Sequence, residues 1–206
     1  MSYVNIYIET KTTLNKQTNE ERFIRHIVQL LNADLKNEIR IFGTDGYTNL
    51  KEYANQMLRN SADGGKNLVI FDADFVTSNG GYEKRRKDIL NWKKDWGVEF
   101  ELFLFPNNQE DGTFEHLLEY LTVEKHRGLL NCFKGYEMCI NGQNNEEYNV
   151  PDQKAKMYTY ISALKKTQQE TSKFKNGDWF FERNDLWNFN AEYLNVLKEF
   201  LLKHLF

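Results

Sequence analysis

The sequence predicts an α/β fold: a mostly parallel sheet of four strands, or slightly more, with helices on both faces and a helical C-terminal half. Two observations predict it. Short apolar runs alternate with helical patterns through residue 105, as expected of crossovers that feed a parallel sheet. Beyond residue 112 the apolar spacing becomes helical.

Each predicted strand is a short run rich in β-branched and aromatic residues. The third run is the clearest, because it is almost continuously apolar, as strands buried on both faces are, before it ends in Asp-Ala-Asp-Phe. The fourth run is closed by Pro106. The four predicted strands cover residues 4–8, 39–42, 67–75 and 98–105.

Apolar residues at helical spacing predict the helices. In the last helix, Leu194, Leu197 and Leu201 share one face, which predicts packing on the body of the protein. We expect an α/β domain over residues 1–125 and a helical extension over 126–206, packed on the same core or forming one domain with it. The predicted helices cover residues 20–31, 50–58, 82–96, 113–122, 129–140, 153–166 and 190–206.

Composition narrows the classes of function. The chain has 206 residues, 30 acidic and 27 basic, and its formal net charge of −3 excludes a globally basic nucleic-acid binder. The spacing of Cys132 and Cys139 fits neither a zinc knuckle nor a disulfide framework. The first residues lack the pattern of a signal peptide, and no apolar stretch reaches membrane-spanning length, so we expect a cytoplasmic protein without a membrane partner.

Acidic side chains follow two of the predicted strands. Asp72 and Asp74 end the third strand, at the edge where open α/β sheets hold their ligands. Glu9 ends the first strand. If these strands are neighbours, three carboxylates meet, and carboxylate oxygens are the ligands that Mg²⁺ or Mn²⁺ prefers. The pattern therefore predicts a divalent-metal site suited to phosphate chemistry.

Together with Gly43-Thr-Asp-Gly46 after the second strand, these acids resemble the Toprim domain, the Rossmann-like catalytic fold of topoisomerases and primases. The resemblance is to small prokaryotic versions related to overcoming-lysogenization-defect nucleases. It implies metal ligation by Asp72 and Asp74, and ligation or proton handling by Glu9, with one or two ions. Nuclease versions often have a further downstream acid, for which Asp111 and Glu115 are the candidates, Glu115 being favoured.

A basic cluster follows the acid pair. Lys84, Arg85, Arg86 and Lys87 lie in the predicted helix 82–96. They are candidates for holding a nucleic-acid backbone beside the metal site. The alternative is that these charges only form a solvated face of the helix. The resemblance to nucleases makes nucleic acid the expected partner. Protein partners and oligomeric state are not predicted.

Three functions remain open from the sequence. The first is a Mg²⁺-dependent Toprim-type nuclease acting on DNA or RNA. The second is an inactive Toprim-like module that binds nucleic acid or a partner, because the loop after Glu9 lacks the glycine usual in Toprim domains. The third is a phosphatase of the haloacid dehalogenase type, in which Asp72 is phosphorylated and Asp74 acts as acid and base.

Overall fold

The computed structural model describes residues 3–12, 16–31 and 39–205. Within these ranges there are four strands and eight α-helices, joined by turns and short 3-10 helices. The strands are β1 (Val4–Ile8), β2 (Ile39–Gly43), β3 (Lys66–Asp72) and β4 (Glu101–Phe105). The helices are α1 (Asn19–Leu31), α2 (Ala54–Ala62), α3 (Tyr82–Trp96), α4 (Phe114–Leu121), α5 (Arg127–Gly142), α6 (Gln153–Ala163), α7 (Gln168–Lys175) and α8 (Asn195–Leu205).

The strands form one parallel sheet in the order β2-β1-β3-β4. β1 pairs with β3 from Val4 opposite Lys66 to Ile8 opposite Ile70. The predicted α/β class, with its helical C-terminal part, is confirmed. Because β1 and β3 are the two central strands, their carboxyl ends lie side by side.

Contacts divide the chain into two compact units. Unit 1 comprises Met1–Leu117 and Glu192–Phe206, and unit 2 comprises Leu118–Ala191. The division falls inside α4. It places α8, the helix predicted to pack on the body of the protein, in the unit that contains the sheet.

The first face of the sheet in unit 1 is packed by α2 and α3. Tyr7 of β1 and Val69 of β3 are fully buried there, together with Met57 of α2 and Ile89 of α3. Side chains alternate between the two faces along a strand. The residues on either side of Val69 therefore point to the opposite face.

That second face is packed by α1, α4 and α8. Phe103 of β4 contacts Phe200 of α8 with ring centroids 5.3 Å apart. Phe114 of α4 contacts Phe105 of β4 at 5.3 Å and Phe23 of α1 at 5.1 Å. Helices thus cover both faces, and the polar edge at the carboxyl ends of the strands is framed by α1, α3 and α4.

Unit 2 has an aromatic core. Tyr160 and Trp187 are almost fully buried, and their polar groups are satisfied: the Tyr160 hydroxyl donates to the Leu186 carbonyl at 2.7 Å, and Trp187 Nε1 donates to the Trp179 carbonyl at 3.1 Å. The sequence did not predict α7, which is mostly polar and begins with a capping box between Thr167 and Glu170.

Two further expectations concern cysteines and membranes. Cys132 and Cys139 are free and exposed thiols. Among the described residues, none of the helices combines the length and apolar content that a membrane crossing requires.

Candidate functional site

Two acidic side chains meet where β1 and β3 end. Glu9 directly follows β1, and Asp72 is the last residue of β3. The Asp72 N–H donates to Glu9 Oε2 at 3.4 Å. The Tyr47 N–H, beyond the end of β2, also donates to the Glu9 carboxylate. The structure therefore brings together carboxylates from the two central strands.

Asp74 lies two residues beyond β3, in a turn fixed by its neighbours. Its φ of 58° is left-handed, which is uncommon for a residue other than glycine. Its N–H donates to the Gly112 carbonyl at 2.8 Å, and its carbonyl accepts from the Gly112 N–H at 2.9 Å. A Cβ on Gly80 would lie 2.4 Å from Asp74 Cβ. The surrounding backbone therefore sets the direction of the Asp74 side chain.

Arg85 is the member of the predicted basic cluster that reaches the acids. Its side chain is 5% exposed and forms an ion pair with Asp74. Its guanidinium carbon lies 3.5 Å from the ring centroid of Tyr47. Lys84 instead donates to the Asn79 carbonyl at 2.7 Å, and Arg86 and Lys87 are exposed.

Two more glutamates surround Asp72. The Phe114 N–H, at the start of α4, donates to Asp72 Oδ1 at 2.7 Å. The next residue, Glu115, and Glu20, in the first turn of α1, both interact electrostatically with Asp72. Glu115 Oε2 accepts a hydrogen bond from Thr113 Oγ1 at 3.0 Å. The favoured downstream acid therefore belongs to the cluster.

Sequence reasoning missed Glu20. Its side chain is buried, with 4% exposed, and its Oε2 accepts from Thr10 Oγ1 at 2.8 Å. A signal was present, because Glu20 precedes Phe23, Ile24 and Ile27 at helical spacing. A glutamate on the apolar face of an amphipathic helix is a residue that needs an explanation.

Asp111, the other downstream candidate, has a different partner. It is exposed, and its Oδ1 accepts from the Tyr82 N–H at 2.7 Å. Asp111 therefore caps the start of α3, where a carboxylate is favoured by the exposed N–H groups of the helix.

Comparison with protein families adds one match. The model of a family described as "Protein of unknown function (DUF3226)" matches residues 18–206. The chain belongs to the DUF3226 family. The match includes Glu20, Asp72, Asp74 and Glu115, and it begins after Glu9. Neither the search of curated proteins nor the search of solved structures found a match to this chain.

Burial and repulsion between carboxylates raise the pKa values of Asp72, Glu20 and Glu9 in this DUF3226 chain. Burial, followed by the charges of Glu20, Glu9 and Glu115, raises the pKa of Asp72 well above its usual range. Burial, with contributions from Glu9 and Glu115, raises the pKa of Glu20 to about 8. The pKa of Glu9 is raised by burial and by Asp74, against a lowering effect of Arg85. Ionising all of these carboxyl groups together, with Arg85 as a neighbouring cation, is therefore unfavourable.

The donor atoms of this DUF3226 chain fit a hard divalent cation in chemistry. Within residues 3–12, 16–31 and 39–205, no three His, Cys, Asp or Glu side chains are already arranged to hold a metal. Asp72 and Asp74 are instead held by the Phe114 N–H and by Arg85. However, Glu20 Oε1 is buried and has no hydrogen-bond partner among the described residues. Mg²⁺ and Mn²⁺ prefer carboxylate oxygens as ligands, and Glu20 Oε1 is such an oxygen without a hydrogen bond from the described residues.

Proposed function

We propose that this protein is a divalent-metal-dependent nuclease of the Toprim type, in which Glu9, Asp72 and Asp74 hold Mg²⁺ or Mn²⁺. One observation carries the proposal: carboxylates following the two central parallel strands converge at the carboxyl edge of the sheet, with Arg85 as their cationic neighbour. This edge is where open α/β sheets bind ligands.

The raised pKa values of the buried carboxyl groups support a bound cation. Repulsion and burial hold protons on Asp72 and Glu9 to a higher pH than usual. A divalent cation replaces those protons and removes the repulsion. When bound, it supplies electrostatic stabilisation of a phosphate oxygen and activation of a water molecule.

Glu9 is the candidate proton acceptor. In phosphodiester hydrolysis a water oxygen bonds to phosphorus, the bond to one ester oxygen breaks, and the leaving oxygen takes a proton. Burial and the nearby Asp74 raise the pKa of Glu9, which makes its carboxylate a stronger proton acceptor than an ordinary glutamate. Hydrogen bonds from the N–H groups of Asp72 and Tyr47 hold that carboxylate in place.

An aromatic row beside the acids supports a nucleic-acid substrate. Arg85 lies over Tyr47, Tyr47 stacks on Trp92, and Trp92 stacks on Trp96, with both pairs of ring centroids 5.5 Å apart. The three rings are partly exposed. Aromatic rings and neighbouring cations bind nucleotide bases and backbone without sequence preference.

Cleavage assays with site variants test the proposal. We expect the wild-type protein to cleave single-stranded or duplex DNA or RNA with Mg²⁺ or Mn²⁺ and to lose this activity with EDTA. Asp72→Asn and Asp74→Asn are expected to lose it at least about 100-fold, because each removes a negative ligand. Asp45→Asn is the control, since Asp45 is exposed and pairs with Lys11.

The outcomes separate the three functions. Cleavage retained by both Asp72→Asn and Asp74→Asn contradicts the proposal. Stoichiometric binding of Mn²⁺ and nucleic acid without cleavage indicates the inactive binding module. Hydrolysis of p-nitrophenyl phosphate without cleavage of nucleic acid indicates the phosphatase. Circular dichroism of each variant confirms that the fold is retained.

A further inference from the structure

A short loop beside the acids exposes apolar side chains. It follows Asp74 directly, and its residues 75–79, called the tip loop below, are all exposed. Phe75 is 38% exposed, and Val76 is 74% exposed, the largest fraction among the exposed large hydrophobic residues of the described chain. Single exposed apolar residues are normal on protein surfaces. These two are consecutive and adjoin a cluster of carboxyl groups, so their exposure needs an explanation.

Backbone hydrogen bonds hold the tip loop in a compact turn. The Phe75 carbonyl accepts from the Ser78 N–H at 2.9 Å. The Gly81 N–H, just beyond the loop, donates to the Ala73 carbonyl at 2.9 Å. Val76 lies over Gly81, because a Cβ on this glycine would come 2.9 Å from Val76 Cγ2. The apolar side chains are therefore presented on a preorganised turn, which loses less entropy when a ligand binds.

Positive side chains lie beside the tip loop. Lys84, in the first turn of α3, donates from Nζ to the Asn79 carbonyl at 2.7 Å. Lys87 is exposed three residues further along the same helix, and residues at this spacing are neighbours on a helix surface. Lysine side chains bind phosphates, whereas apolar and aromatic side chains bind the faces of nucleobases. The loop and the helix together therefore offer contacts for both parts of a nucleotide.

The tip loop is within reach of a nucleotide whose phosphate lies at the acids. Val76 is two residues beyond Asp74, so their Cα atoms are at most about 7.6 Å apart. In an intact duplex the faces of the bases are covered by stacking, and taking a base out of the stack costs free energy. An apolar contact at this position therefore favours bases that are already unpaired.

We propose that Phe75 and Val76 contact unpaired bases next to the phosphate that is cleaved, so that the substrate is nucleic acid without base pairing at that position. This inference rests on the proposed function, because it names the substrate class of the same edge. The Phe75 ring offers a stacking surface and is supported by His116, with ring centroids 5.1 Å apart. Val76 is the apolar wedge beside it.

Oligonucleotides with and without bases test the contact apart from catalysis. Fluorescence anisotropy with Ca²⁺ in place of Mg²⁺ compares a labelled thymidine oligonucleotide with an abasic oligonucleotide of the same length. We expect the wild-type chain to bind the thymidine oligonucleotide at least about fivefold more tightly. Val76→Ser should lose most of this preference and keep its affinity for the abasic oligonucleotide. Phe75→Leu, which keeps an apolar side chain but removes the ring, should also reduce the preference.

Two further variants are controls. Met138→Ser changes a residue of α5 that is 65% exposed, and it should retain the full preference for bases. Lys87→Gln should weaken binding of both oligonucleotides by the same factor, because a phosphate contact does not distinguish them. Cleavage with Mg²⁺ or Mn²⁺ adds a second readout: in a duplex with a central run of unpaired bases, we expect cuts within that run.

The outcomes separate this inference from the proposed function. Equal affinity of the wild-type chain for the two oligonucleotides overturns the inference, and so does a preference retained by both Val76→Ser and Phe75→Leu. Equal cleavage of paired and unpaired regions overturns it but leaves the nuclease standing. Base-dependent binding without cleavage supports the contact and contradicts the nuclease. A wild-type dimer that Val76→Ser abolishes in sedimentation, with oligonucleotide binding unchanged, shows that a second copy covers the tip loop and overturns the inference.

Discussion

Arg85 forms an ion pair with Asp74 at the carboxyl edge of the sheet, its side chain 5% exposed and that of Asp74 28% exposed. The guanidinium is held from its other side by the ring of Tyr47. Because a carboxylate oxygen paired with a guanidinium is not free to ligate a metal, Arg85 and a cation compete for Asp74. Release of Arg85 by a bound cation would place a positive group next to the phosphate of a substrate.

This competition predicts an unusual effect of Arg85→Gln. We expect the variant to bind Mn²⁺ more tightly, by about tenfold, since removal of a charge-assisted hydrogen bond worth about 1.4 kcal/mol frees Asp74. Its affinity for a phosphodiester oligonucleotide should fall, because a cationic group is lost. Calorimetry for Mn²⁺ and fluorescence anisotropy for the oligonucleotide measure the two affinities.

Arg86→Gln is the control for this pair of effects, because Arg86 is the exposed neighbour on the same helix. It should leave Mn²⁺ affinity almost unchanged. A purely structural role for Arg85 would weaken both kinds of binding in Arg85→Gln. Weaker Mn²⁺ binding by this variant therefore argues against competition for Asp74.

The raised pKa values predict that stability without metal falls as pH rises. In the unfolded chain these carboxyl groups lose their protons near pH 4. In the folded protein Asp72 holds its proton to a higher pH, and the pKa of Glu20 is about 8. Between these limits the folded state binds more protons, so the free energy of unfolding decreases with pH. Thermal unfolding in EDTA from about pH 5 to about pH 8 measures this loss.

Added Mg²⁺ and the variant Glu20→Gln are the two controls for the loss of stability with rising pH. Saturating Mg²⁺ binds the ionised folded state and should raise the melting temperature most at the upper end of this range. Glu20→Gln should weaken the pH dependence, because it removes one of the titrating groups. A melting temperature in EDTA that is flat or rises across the range contradicts the electrostatic description of the site.

The fold was predictable because the sequence pattern of each strand and helix lies within a short segment of the chain. Apolar strands and helical spacing identified α3 at its observed bounds, residues 82–96, and the order of alternation gave a parallel sheet. The polar helix α7 was missed, since its stability depends on a capping box and on tertiary contacts rather than on an apolar stripe. The acids at strand ends were also predictable, because parallel strands share one carboxyl edge.

The contacts of Glu20 and Arg85 with the acids of β3 could not be predicted from the sequence. Glu20 lies twelve residues after Ile8, the last residue of β1, and residues 13–15 between them are outside the described part of the chain. Its approach to Asp72 depends on how α1 packs on the sheet. Likewise, four consecutive basic residues looked equivalent in the sequence, and helical geometry turned Arg85 inward toward Asp74. Long-range pairing of this kind leaves no periodic signal in a single sequence.

Packing of α8 in unit 1 predicts a contrast between two adjacent leucines. Leu201 is 0% exposed and Leu202 is 43% exposed. We expect Leu201→Ala to lower the free energy of unfolding by about 2–5 kcal/mol, through lost burial and a cavity. Leu202→Ala should change it by less than about 0.5 kcal/mol. Urea unfolding of both variants measures the difference, and equal losses would contradict the packing of this helix.

Close approach of Gly80 to Asp74 predicts that Gly80→Ala disturbs the site. A Cβ there would lie 2.4 Å from Asp74 Cβ and 2.9 Å from the Ala73 carbonyl oxygen. Since neither neighbour is a flexible side-chain end, the turn that holds Asp74 must shift. We expect lower stability, by about 1–3 kcal/mol, and weaker Mn²⁺ binding.

Gly128→Ala in α5 is the control. Within the described residues, a Cβ on Gly128 meets no atom within 4 Å. This change should stabilise the protein slightly. Mn²⁺ affinity unchanged in Gly80→Ala would show that Asp74 does not depend on this contact.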